Sequence, residues 1–122
     1  MSNDELLFFT PMPDALPLYE ALREALMAAC PDTQIQVHTT QITFKVRYGF
    51  AFVSLRRIKG SPPVFLLLTI GLRRRLDSPR VAIAVEPYPH RWTHHLVISS
   101  PDQLDEELLG WLREAHDFAL TK

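Results

Sequence analysis

The sequence is short of the features that announce a reaction or a compartment. Its single cysteine, Cys30, cannot form an intramolecular disulfide. The first dozen residues combine neither a basic leader nor a long apolar run, so a cytoplasmic protein is expected. Uninterrupted apolar stretches such as Val64 to Leu68 are far below the roughly 20 residues that cross a bilayer, and no membrane span is expected. Only four glycines occur, at 49, 60, 71 and 110, too scattered for a phosphate-cradling loop between a strand and a helix. No serine sits in a G-x-S-x-G turn. Cys30 stands beside Pro31 with no evident base to activate it.

What is present suffices for one hydrophobic core: 122 residues, 47% of them apolar, point to a single domain whose ordered core spans about 14–119. The formal net charge of -1 hides a segregation along the chain. Between Lys45 and Arg91 ten basic residues face two acids, a net of +8, whereas the remainder of the chain carries -9. The ends are acidic and the middle is basic, which predicts a strong field on the folded surface, and with it an anionic partner or a second copy of the chain. The same charge also serves simply to solubilise an exposed face.

Periodicity gives the elements. Leu18, Leu22, Ala25, Leu26 and Ala29 recur at three and four, predicting an amphipathic helix from Asp14, its N-cap, to about Ala29, with Pro17 in the first turn. Alternation then predicts strands through Ile35 and Val37 and through Ile42, Phe44 and Val46, with Tyr48-Gly49 reversing the chain into Phe50–Leu55. Val64–Leu72 reads as a central strand. Ser78-Pro79 predicts a short helix turning Val81, Ala82 and Val85 inward, and His94–Ser99 a last strand. Ser100-Pro101-Asp102-Gln103 resembles a capping box, and the helix it predicts buries Leu104, Leu108, Trp111, Leu112, Ala115 and Ala119. Gly110 within it predicts close approach to another element. The fold class is therefore α+β: N-terminal and C-terminal helices packed on a mainly antiparallel sheet of about five strands.

His38, His90, His94 and His95 invite a metal reading, but His90 and His94 converge only on a helix, and an extended segment turns His94 and His95 to opposite faces. No metal or other cofactor is expected. The strongest functional signal is basic residues interleaved with polar and aromatic ones: Gln41, Lys45 and Arg47 on the hairpin, Arg73, Arg74 and Arg75 after the central strand, then Arg80, Arg91, Trp92 and His94. Such residues on a sheet face predict a non-catalytic site for an anionic partner, nucleic acid or a small anion, with rings for a base to stack on. Against nucleic acid stands a sequence pI near 6.5. Two alternatives remain open. One is a small enzyme with its site between the sheet and residues 73–95, where Arg80 and Arg91 bind an anionic substrate and His94 or His95 is the general base. The other is a homodimer in which the acidic helix of one copy meets the basic rim of the next.

The order of several segments, among them Thr40-Gln41-Ile42-Thr43-Phe44, Gly49-Phe50-Ala51-Phe52-Val53, Leu76-Asp77-Ser78-Pro79-Arg80, Arg91-Trp92-Thr93-His94-His95 and Ser100-Pro101-Asp102-Gln103, resembles the uncharacterised bacterial family known as domain of unknown function 5655. The resemblance runs from about Leu16 to Phe118. It implies a small α+β domain, found alone or joined to others including nuclease-like ones, with no established activity or catalytic residues.

Overall fold

A computed structural model describes residues 1–122. Three helices, α1 (Asn3–Phe8), α2 (Leu16–Ala29) and α3 (Glu106–Thr121), accompany one sheet of six strands. These are β1 (Gln34–Val37), β2 (Ile42–Lys45), β3 (Gly49–Ser54), β4 (Leu66–Leu72), β5 (Ile83–Tyr88) and β6 (Arg91–Ile98). Their order is β1-β2-β3-β4-β6-β5, antiparallel throughout. The α+β class stands, with six strands in place of about five.

The additional strand is β5. Residues 78–82 form no helix: a turn closes between Val81 N–H and the Ser78 carbonyl, and Ala82 N–H already bonds to the His95 carbonyl. The chain then pairs along β6, from Ile83 opposite His95 to Tyr88 opposite Arg91. Ile83 and Val85 alternate outward, a period of two that the Ser-Pro start signal masked.

The β4 strand is central as expected, and its two faces differ. Leu66, Leu68, Ile70 and Leu72 point into the core beneath α2 and α3, with Ile42, Phe44, Ala51, Val53, Leu96 and Ile98 beside them. Leu18, Tyr19, Leu22 and Leu26 of α2 and Leu108, Leu112, Ala115 and Ala119 of α3 close that core, each buried. An extra residue in β3, Phe50, bulges against Phe44-Lys45 of β2, and its ring meets His116 of α3 edge-on, 5.5 Å between centroids. The opposite face of the sheet carries no helix. One lateral row crosses all six strands there: Gln36, Thr43, Phe52, Thr69, His95 and Ile83.

Both helix starts differ from their sequence reading. Pro13–Ala15 makes a 3-10 turn ahead of α2, whose N-terminus has no side-chain cap, so Asp14 is not the cap. The capping box at Ser100 and Gln103 is present but caps a 3-10 turn, Pro101–Gln103; α3 begins three residues later, where the Asp105 carboxylate accepts from Leu108 N–H. Ahead of residue 14, α1 has its own capping box, Ser2 with Glu5.

Gly110 faces open space, with nothing within 4 Å of where a Cβ would stand, contrary to the expected close approach. Gly110→Ala therefore raises stability by about 0.5–1 kcal/mol through helix propensity alone. Urea denaturation checks this, and a lower midpoint contradicts it.

Candidate functional site

The segregated charge is resolved largely within the chain. Arg74 forms a two-pronged pair with Glu114 of α3, Nε to Oε2 and Nη2 to Oε1, both 2.9 Å. Arg80 bonds Asp105 and Glu107 at 2.9 Å and the Gln103 carbonyl, while its guanidinium lies 5.5 Å from the Trp111 ring centroid. These two arginines dock the segment between β4 and β5 onto α3. Acids of α3 that a second copy would need are already engaged by the same chain.

His94 is spent structurally too. It lies fully buried on the helix side of β6, where its Nε2 accepts from Leu76 N–H at 2.9 Å, and burial holds its pKa below the ordinary imidazole value. His95 points to the other face, as alternation along β6 requires. Arg80, Arg91, His94 and His95 therefore do not line a common cavity.

The remaining basic residues gather at one end of the sheet. Lys45 closes β2 before the Arg47-Tyr48 turn; β4 ends there and leads to Arg73 and Arg75; β6 begins there with Arg91-Trp92. The helix α3 delivers Lys122, missed in the sequence reading, to the same place: Tyr48, Arg91 and Lys122 line a shallow depression of about 210 Å³. Rings back these cations. Arg73 and Lys122 lie 4.9 and 5.1 Å from the Phe118 centroid, Arg75 lies 5.8 Å from Trp92, and Arg47 lies 5.4 Å from Tyr48. None of these six cations forms an ion pair. Burial and the neighbouring Arg91 lower the pKa of Lys122. Tyr48 and Tyr88 remain exposed, Tyr88 directly opposite Arg91 across the β5–β6 hairpin.

Gln41 is elsewhere. It lies at the other end of the sheet, beside a cleft of about 700 Å³ on the helix-free face. Phe52, Leu67, Thr69 and His95 contribute its floor, and Arg56 and Ser54 line it from the end of β3. His95 Nδ1 is 2.8 Å from Thr69 Oγ1, its neighbour across the strands. Burial first, then Arg56, lowers the pKa of His95 and so favours the neutral ring. The sequence did contain a signal for this cleft: Thr69 interrupts an otherwise apolar strand.

No group of three or more His, Cys, Asp or Glu side chains is arranged to hold a metal ion. No helix is long and apolar enough to cross a membrane. A family model described as a domain of unknown function, DUF5655, matches residues 7–119. No curated protein and no solved structure gives a significant match.

Proposed function

The chain belongs to the DUF5655 family, and from its geometry we propose a non-catalytic binding domain whose basic, ring-backed sheet end engages an anionic chain, single-stranded nucleic acid foremost. The carrying observation is the gathering of Lys45, Arg47, Arg73, Arg75, Arg91 and Lys122 at that end without a carboxylate partner, while Arg74 and Arg80 are consumed by α3. Cations crowded together without counter-charge gain most from a ligand that supplies it. Phosphates would sit against the guanidinium groups, with Tyr48 and Tyr88 as platforms for bases. The surface is a rim rather than a sheet face, and the near-neutral total charge restricts contact to this patch. A cytoplasmic setting, with Cys30 reduced, is part of the same proposal.

The test is an anisotropy titration of a labelled single-stranded oligonucleotide at rising salt. Binding should weaken steeply with salt, and the Arg73→Ser/Arg91→Ser double variant should reduce the slope of log affinity on log salt by about 1.4 for a single strand. Tyr48→Ala and Tyr88→Ala should each cost about 1–3 kcal/mol of binding if they carry a base. No binding at low salt, or a double variant indistinguishable from the parent, removes the reading.

A further inference from the structure

The cleft on the helix-free face lies at the opposite end of the sheet from the basic rim and has a different chemistry. The β1–β2 loop borders it through Thr39 and Thr40, and the end of α1 and the segment after it through Phe8 and Pro11, so it has walls as well as a floor. No carboxylate lines it. Its one permanent cation, Arg56, forms no ion pair, and no hydrogen bond holds its guanidinium within the protein. Arg57, next in sequence, is by contrast locked to the carbonyls of Ser61 and Pro62 at 2.8 and 2.9 Å and covers the Phe65 ring. Of these two adjacent arginines, one builds the loop and the other is left free at the cleft.

We propose that this cleft binds a small organic monocarboxylate with a flat apolar body, its carboxylate held by Arg56 and His95 and its body laid on Phe52 and Leu67. Charge sets the class. One guanidinium beside a neutral imidazole matches one negative charge, and the planar fork of arginine fits the two oxygens of a carboxylate. In the proposed complex the Thr69 hydroxyl donates to His95 Nδ1, one of the two senses this 2.8 Å contact allows, so that the ring proton lies on Nε2, which makes no hydrogen bond inside the protein, and is donated to the carboxylate. The body follows from the floor, where Phe52 and Leu67 lie on adjacent strands in neighbouring rows. The packing beneath Phe52 is tight: a Cβ at Gly49 would stand 2.8 Å from its ring, so the glycine leaves the ring the place it occupies.

Benzoate is the probe, followed by 1H–15N NMR on the full chain. Its expected effect is saturable shifts centred on the amides of Phe52, Ser54, Arg56, Thr69 and His95, at the millimolar affinity usual for so small a ligand. Benzamide, of the same shape without the charge, and inorganic phosphate, charged without the body, should each bind at least about tenfold more weakly. Arg56→Gln should weaken benzoate by about 10–100-fold, the worth of a charged hydrogen-bonded contact. Arg56 is exposed, so this variant keeps its fold, and an unchanged spectrum away from the cleft verifies it. His95→Phe supplies a second, independent loss of the donor. Equal binding of benzoate and benzamide, equal binding of phosphate, or an unaffected Arg56→Gln variant overturns the proposal. So do shifts centred on Arg73 and Arg91, which would be capture by the rim. The Arg73→Ser/Arg91→Ser variant should bind benzoate normally, so failure at the cleft and failure at the rim are separate results.

Discussion

Replacing Glu5 with alanine should lower the unfolding free energy by roughly 3–5 kcal/mol, the cost of breaking a buried charged network by removing one member. Glu5 is only 3% exposed although it lies on a six-residue helix near the N-terminus. Its Oε2 accepts from the Tyr19 hydroxyl and, at 2.8 Å, from Arg23 Nε; its Oε1 accepts from the Ser2 amide at 2.9 Å. Without it the Tyr19 hydroxyl, on a fully buried side chain, has no acceptor, and α1 loses both its capping box and its anchor to α2. A single short helix has little stability of its own, so α1 should detach. Thermal unfolding should show a loss of roughly 10–20 °C. Glu5→Gln retains the size and one acceptor and should lose about half as much. A midpoint within a degree or two of the parent in Glu5→Ala refutes the anchoring role.

The same carboxylate adds an acid-sensitive term. Burial alone would raise its pKa, but hydrogen bonds from Tyr19, Ser2 and Arg23 outweigh it and bring the pKa below the ordinary value. A group whose pKa is depressed on folding contributes stability that is complete above its unfolded value, near 4.5, and lost as the pH falls toward the folded one. Glu5→Gln should therefore flatten the stability profile below about pH 4.5.

The parts of this architecture legible in the sequence are those whose physics is local. β4 was readable as central because a run of Leu and Ile has no solvated side, and the β2–β3 hairpin because alternation meets Tyr48-Gly49. β5 was not, because Ser78-Pro79 is a genuine start signal in isolation and only pairing with β6 overrides it. Nor was α1: the Ser2…Glu5 spacing is visible, but the partners that keep Glu5 buried stand on α2. Site residues divide along the same line. A run such as Arg73-Arg74-Arg75 reads as three equivalent charges, yet Arg74 alone meets Glu114, and the other two lie against Phe118 and Trp92. Convergence depends on strand order, which brings the 47–48 turn, the end of β4, the start of β6 and Lys122 to one end of the sheet. Arg56 and His95 are joined in the cleft for the same reason.

The second large effect concerns His94, the buried imidazole that ties Leu76 to β6. His94→Leu keeps much of the volume but leaves Leu76 N–H without its acceptor, and should cost about 1–3 kcal/mol at pH 7.5. The pH dependence then separates this tie from mere packing. Burial lowers the folded pKa of His94, with Arg74 and Arg75 adding to the effect and the Ile70 backbone and Glu114 opposing it. Between that lowered value and the unfolded one near 6.5, the unfolded chain binds more protons, so stability is complete above about pH 6.5 and falls below it. His95 acts in the same direction. His116 acts in the opposite one: burial lowers its pKa, but pairing with Asp117 and Asp32 raises it more, so its contribution is present below about 6.5 and lost as the pH rises through the folded value. The parent should therefore lose stability from pH 6.5 downward through His94 and His95, and lose the His116 contribution separately as the pH rises above 6.5. Removing His94 should reduce the acid-side slope by up to about 1.4 kcal/mol per pH unit. Asp32→Asn, which weakens the His116 pairing, should leave that slope alone and flatten the decline above pH 6.5. Urea midpoints from pH 5 to 8 give all three slopes; an unchanged slope in His94→Leu would show that protonation of this ring is not what acid works against.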